Sequence, residues 1–419
     1  MAELSTLPEQ TRQQIEQIRT VDLVVGLAAE EANQNLAGIA ETVRGGLARL
    51  TKPVRAVLLH KDAGSPAAPA PSQNGLENES LQLLSYSPPA LHSSLMLVES
   101  IAGAYRSICE ISQKLDARAC VVIASSPEGL TSEWIFGLAQ PVLEGELDLV
   151  APSYAPHKFE GLLNNAILYP ATRALYGKRV LNPLGPDFGF SSRLVQALLS
   201  ESSRARGPGV RLPLIAPEAI VRGFKLCQAH LGRRIFPPVD WKNLDSILAE
   251  VLDPLFLGIE RDAAFWQHIR SSEPVPTYGD ALPWVEESIA FDAKRLLEPF
   301  KLGFRNLREI WGLVLPPSAL LELTKADRLP PEQFRIPDEL WTNIIYDFAL
   351  AYHLRTIGRD HLLHALTPLY LGWIASYAIE VEPLGGVAVQ RRLERLCTAY
   401  ESRKPYLVSR WRWPDRFNP

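Results

Sequence analysis

No run of about 18 apolar residues in this 419-residue sequence is free of charge or proline, so no segment reads as a membrane span. The opening residues, Met1-Ala-Glu-Leu-Ser-Thr-Leu-Pro, lack the basic start and apolar core of a secretion signal, and a cytoplasmic address is expected. Cysteine is scarce. Cys109, Cys120, Cys227 and Cys397 lie scattered in apolar surroundings without CxxC spacing, which points to buried thiols rather than a disulfide frame, zinc or redox chemistry. Basic clusters are missing too, and a net charge of −4 argues against nucleic acid, polyanions or a membrane surface as partners.

What is present is an ordinary globular composition, 47% hydrophobic and 21% charged, with length enough for two or three domains and a sizeable core. A polar helix over 9–20 leads into the apolar run 21–27, which suits a strand covered on both faces. Helical spacing over 33–50 is followed by a second strand over 54–60. Helices are predicted over 93–115 and 134–143, with strands over 119–125 and 147–152, and repeated β-α units predict an open, mostly parallel sheet. Between Ala63 and Ser80 the chain is rich in Pro, Ala, Ser and Gly and reads as a mobile surface loop. From about 243 onward helices prevail, predicted over 244–257, 261–270, 284–300, 339–353, 361–381 and 389–401, with prolines punctuating them. No fixed-period repeat is present.

Two nucleotide-binding signatures are absent. A Rossmann site needs glycines after the first strand so that pyrophosphate can approach backbone amides, yet Gly26 is followed by Leu-Ala-Ala-Glu-Glu. The P-loop pattern is missing as well, and two glutamates at that turn would repel phosphate. Dinucleotide dehydrogenase and P-loop kinase are therefore poor readings.

A third pattern fits better. Asp62-Ala-Gly-Ser65 looks like the DGGS turn of glycosyltransferases with the A-type fold, and Leu130-Thr-Ser-Glu-Trp-Ile135 looks like the TPEWI after their DxD strand. The stretch from His157-Lys-Phe-Glu-Gly through Arg173 to Lys178-Arg179, then Asn182-Pro-Leu-Gly185-Pro-Asp-Phe-Gly-Phe-Ser191, resembles the acceptor-side segment of glucosylglycerate and mannosylglycerate synthase-like glycosyltransferases. Gly223-Phe-Lys-Leu-Cys-Gln-Ala-His-Leu-Gly232 continues the likeness, which runs from about residue 20 to the end. The resemblance implies an α/β fold, a nucleotide-diphospho-sugar transferase (GT-A-like) domain with a mixed, mostly parallel sheet at 1–240, followed by a helical C-terminal domain at 241–419.

The resemblance also implies a divalent cation, Mg or Mn, held by two DxD carboxylates against the donor diphosphate. By position those acids fall on Ala124 and Ser126, neither of which replaces a hard anionic oxygen ligand, and Glu128 is the only acid close by. The family's donor-phosphate lysine falls on Ile101. Its metal-shell histidine corresponds to His230, or to Phe236 under another placement of the gap. Its Gly-Ile-Asp motif becomes Gly209-Val-Arg-Leu212, and no aspartate occurs between Asp187 and Asp240.

The resemblance leaves Asp62, Ser65, Ser126 and Glu128 on the donor and nucleotide side, Asp187 as catalytic candidate, and His157, Lys158, Arg173 and Gly185 on the acceptor side. Each has a plainer reading. Asp62 either binds a nucleotide or forms a turn; Asp187 either positions an acceptor hydroxyl or caps the helix begun at Ser191; His157, Lys158, Arg173 and Lys178 either meet an anionic acceptor or are solvated surface charges. His361 and His364 have helical spacing for a shared metal but lack further ligands, and Trp266, Trp284, Trp311, Trp341 and Trp373 suit core packing. Two functions stand: hexosyl transfer from a nucleotide sugar to a small polar, glycerate-like acceptor without the usual metal pair, or a non-catalytic homologue that binds a sugar or nucleotide or partners an active copy. A homo-oligomer is compatible with both.

Overall fold

The computed structural model describes residues 9–18, 21–29, 35–61, 80–88, 96–204, 214–235, 242–285 and 292–414. Asp62, Ser65, Phe236 and the expected loop over 63–79 lie outside them. In chain order the elements begin α1 (Glu9–Gln17), β1 (Leu23–Leu27), α2 (Leu36–Leu47), β2 (Ala56–Lys61), β3 (Leu81–Tyr86), α3 (Met96–Lys114), β4 (Ala119–Ile123), α4 (Ser132–Leu143) and β5 (Leu149–Tyr154). They continue with α5 (Tyr169–Tyr176), β6 (Lys178–Arg179), β7 (Asp187–Ser191), α6 (Ser192–Arg204), α7 (Ile215–Val221), β8 (Leu226–Gly232), α8 (Leu244–Arg261), α9 (Ala263–Trp266), β9 (Glu273–Pro274) and β10 (Thr277–Tyr278). The last helices are α10 (Ala293–Asn306), α11 (Arg308–Val314), α12 (Pro317–Asp327), α13 (Asp338–Leu354), α14 (Arg359–Val381) and α15 (Gly386–Arg412).

The chain divides into two compact units, one of residues 1–155, 181–238 and 275–282, the other of 156–180, 239–274 and 283–419. The first holds an eight-stranded sheet in the order β10-β8-β5-β7-β4-β1-β2-β3, with β7 antiparallel to both neighbours and every other pair parallel. All residues of β1 and β4 are buried, as expected of parallel strands covered on both faces. On one face Val25 and Val121 pack with Ile39 and Val43 of α2 and Trp134 and Leu138 of α4. Side chains alternate along a strand, so Gly26 faces the other way, where Ile108 of α3 stands over it. The expected α/β domain with a mixed, mostly parallel sheet is the one observed. Strands β3, β7 and β8 were not expected from their sequences.

Gly189, in the middle of β7, is fixed by helix α4: a Cβ there would lie 2.1 Å from the Leu138 carbonyl oxygen. That obstacle is backbone inside a helix and cannot swing aside.

In the second unit the widened turn Asn164–Leu168 runs into α5 at Pro170. Proline has no N–H, so the carbonyl four residues back, at Ala166, lacks its helical donor. Two side chains supply it: Trp341 Nε1 of α13 donates at 3.0 Å and the Tyr400 hydroxyl of α15 at 2.9 Å. Trp341 stacks on Trp373 of α14 at 5.7 Å between centroids, and Trp373 stacks on Tyr377 at 5.1 Å. Trp266, Trp311, Trp341 and Trp373 are fully buried, whereas Trp284 is half-buried against Gly386. Helix α14 is long and apolar enough to cross a membrane, but 78% of its most apolar window is buried among its neighbours.

Some expectations need correction. The helix expected over 284–300 starts at Ala293, where the Asp292 carboxylate accepts from the Arg295 amide at 3.2 Å, and the one expected over 261–270 forms only the turn Ala263–Trp266. Helices α11 and α12 were not anticipated. The four cysteines are free and buried.

Gly189→Ala is expected to cost about 3 kcal/mol of stability, the upper range for forcing an atom into a filled core. Gly312→Ala, on α11 with nothing within 4 Å of its new Cβ, should be neutral or stabilising by under about 1 kcal/mol. Urea unfolding of both variants checks the contrast.

Candidate functional site

The parallel strands end at one edge, and the order changes direction between β1 and β4, with β2 on one side and β7 on the other. Open α/β sheets bind ligands outside the strands' carboxyl ends at such a switch point. Because β7 runs antiparallel, its first residue, Asp187, lies at the same edge, paired in register with Ile123, the last residue of β4.

Beyond Ile123 the ladder stops, and the next two amides would be left without partners. The Asp187 carboxylate takes them. Its Oδ1 accepts from the Ala124 and Ser125 amides, each at 2.9 Å, while Oδ2 accepts from the Ser125 hydroxyl and from the Tyr154 hydroxyl at 2.5 Å. Asp187 has no exposed surface at all. Burial, then the Asp187 charge, pushes the Tyr154 and Tyr105 phenols well above their ordinary value, so both remain proton donors. Tyr105 donates in turn to the Pro186 carbonyl at 2.5 Å, fixing the residue before the carboxylate.

The β4 turn beyond this clamp presents a half-buried Ala124, a half-buried Ser126 leading the short turn Pro127–Gly129, and an exposed Glu128. A divalent cation held between two carboxylates does not fit these residues, since one is a methyl, one a hydroxyl, and the acid behind them has its acceptor positions filled. His230, late in β8, sits beside its strand partner Ser153 with Nδ1 3.0 Å from the serine hydroxyl. Burial lowers its pKa, and the charge of Asp280 pulls it partly back. Arg234 lies over the Tyr154 ring at 5.4 Å. The sheet edge thus gathers Ala124, Ser126, Glu128, Tyr154, Asp187 and His230.

The acceptor-side candidates are bound otherwise. Asp187 does not cap α6; the Ser191 hydroxyl does, accepting from the Leu194 amide at 3.2 Å. Gly185 closes a turn onto Asn182 and leaves room for Pro152, whose ring a Cβ would meet at 2.5 Å. In the helical unit Arg173 is neither a free cation nor a solvated one. It is 2% exposed and forks onto Glu394 at 2.7 Å through both terminal nitrogens and onto Glu401 at 3.0 Å, two acids seven residues apart on one face of α15. The hydrogen bond from Arg173 holds the Glu394 carboxyl below its usual range. Lys158 donates to the Glu382 carbonyl at the end of α14, 2.8 Å away, a favourable place for a cation. His157 is buried with Nδ1 accepting from the Phe159 amide at 3.1 Å, and Lys178 pairs with Glu273 at 2.9 Å.

His364 Nδ1 turns back to the Asp360 carbonyl at 2.8 Å rather than towards His361. Among the described residues no three His, Cys, Asp or Glu side chains group to hold a metal. The clamp residues Ser125 and Tyr154 carried no signal in the sequence, because only the antiparallel entry of β7 brings residue 187 to residue 124.

Asp187→Ala should therefore behave as a structural lesion, costing about 3 kcal/mol or more by stranding two buried amides and two hydroxyls. Asp187→Asn, which keeps one oxygen for the amides, should cost less than half as much. Unchanged urea midpoints in both variants would remove the structural role.

No model of a known protein family matches the chain, and no curated protein matches it. Among solved structures it is similar to a glucosyl-3-phosphoglycerate synthase from Mycobacterium tuberculosis in complex with Mg2+ and uridine diphosphate, at 16% identity and a TM-score of 0.36 over 62% of this chain and 84% of that one. It is also similar to a mannosyl-3-phosphoglycerate synthase from Rubrobacter xylanophilus, at 13% identity and a TM-score of 0.36 over 62% of this chain and 79% of that one.

Proposed function

We propose that the sheet unit binds a nucleotide or nucleotide sugar in the crevice outside β1 and β4 without a divalent cation, and that it does not transfer the sugar. In this reading the chain is a non-catalytic relative of the glycosyltransferases that its 157–191 segment resembles. The observation that carries the reading is the state of Asp187. Its carboxylate is fully buried and accepts four hydrogen bonds, as many as a carboxylate has lone-pair sites, so it has none left for an acceptor hydroxyl.

Hexosyl transfer to a glycerate-like acceptor asks for more than a pocket. Charge builds on the leaving diphosphate and must be met by a cation or by cationic side chains, and the acceptor hydroxyl needs a base. Ala124 and Ser126 stand where the resemblance places the metal's acids, Ile101 where it places the phosphate lysine, and Arg173 and Lys158 are engaged by Glu394, Glu401 and the end of α14. Each replacement weakens catalysis while leaving the switch point in the strand order in place, which supports binding over turnover.

Calorimetric titration with uridine diphosphate and uridine diphosphate-glucose tests the proposal. The expected result is binding whose affinity changes by less than about threefold between excess EDTA and excess manganese, with no release of uridine diphosphate on adding glycerate or 3-phosphoglycerate. A manganese-dependent gain of more than about tenfold, acceptor-dependent release, or no binding of either nucleotide would overturn it.

A further inference from the structure

A cleft of about 440 Å³ opens in the helical unit between α12, α13 and α15. That volume is within the range of small-molecule sites. Its apolar side is made by Pro316, Ala319, Pro337 and Leu340, and its polar side by Asn343, Tyr406, Arg403 and Arg410. The charges are arranged unusually. Both guanidiniums flank one ring, Arg403 at 5.3 Å and Arg410 at 5.5 Å from the Tyr406 centroid.

Only one of the two cations is directly paired from within; the charge of the other reaches Asp347 without a hydrogen bond. Arg410, 7% exposed, donates to the buried Asp347 carboxylate and to the Tyr406 hydroxyl, each at 2.7 Å, and Tyr406 donates to Asp347 as well. Its Nε is buried without any hydrogen-bond partner. Arg403 is half-buried, and the bond from its Nε goes to the neutral Asn343 amide oxygen at 2.9 Å. Among the described residues no carboxylate pairs with it. Of the acids on the cleft rim, Glu322 is taken by Lys325 at 2.6 Å, and Glu339 is exposed on the first turn of α13.

A half-buried guanidinium held by its Nε, with both terminal nitrogens unpaired, is set to receive a planar anion through two parallel hydrogen bonds. We propose that this cleft binds a small organic carboxylate with an apolar body, its carboxylate on the terminal nitrogens of Arg403 and its body against Leu340 and the prolines. The proposal does not depend on the reading of the sheet edge.

Calorimetry and ligand-observed NMR on the full chain, with 4-methylpentanoate and 3-phenylpropionate and with the corresponding amides, test the proposal. The carboxylates should bind saturably below about 10 mM, the amides about tenfold more weakly. Arg403→Gln, at a partly exposed position, should keep its melting temperature and lose about tenfold in carboxylate affinity, while Arg403→Lys should lose less, keeping charge but not the fork. Leu340→Ala should weaken carboxylate and amide alike. Equal binding of acid and amide, full affinity in Arg403→Gln, or no binding of either carboxylate at about 10 mM would each overturn the assignment.

Discussion

The Asp187 carboxylate, with no access to water, holds the carboxyl edge of the sheet together. It enters from β7, satisfies the two amides that β4 leaves unpaired at Ala124 and Ser125, and takes a hydroxyl from Tyr154 at the end of β5. Three strand ends are thereby tied to one side chain. A buried charge is tolerated only where its lone pairs are filled, and filling them removes the group from chemistry. The order of the strand ends and the filled lone pairs of Asp187 have the same cause.

Polar groups are likewise engaged by the protein itself in the helical unit. Pro170 removes a donor, and Trp341 and Tyr400 restore it at Ala166; three residues on, Arg173 is forked onto Glu394 and Glu401 of the same helix that carries Tyr400. The segment whose sequence most resembles an acceptor site is thus the hub around which α5, α13 and α15 pack. Arg403 and Arg410, further along α15, were not singled out by the sequence. Arg410 is paired with Asp347, whereas the Nε of Arg403 goes only to the neutral Asn343 amide.

Legibility followed the physics. The apolar runs of β1, β2 and β4 were readable because doubly covered parallel strands are hydrophobic on both faces. Strand β7 was not, since Asp187-Phe-Gly-Phe-Ser has a charge at its head and a glycine at its centre, and both are explained only by tertiary contacts with the β4 turn and with Leu138. That positions 124 and 126 carry no carboxylate was legible, but the use found for Asp187 depends on an antiparallel register that no local pattern encodes. That Arg173 is buried and paired was not legible, because the spacing of Glu394 and Glu401 becomes meaningful only once α15 is packed on α5. The grouping of residues 156–180 with the helical unit has no compositional marker.

The most direct test of the account is amide hydrogen exchange at Ala124 and Ser125. If Asp187 is a permanent clamp, both amides exchange only through unfolding of the sheet, as slowly as the amides in the middle of β4, and uridine diphosphate with manganese changes their rates only in step with those of β4. Fast exchange at these two positions, or release of their protection when nucleotide and manganese are added, would mean that the carboxylate is free to leave the turn, and would contradict the claim that it serves structure alone.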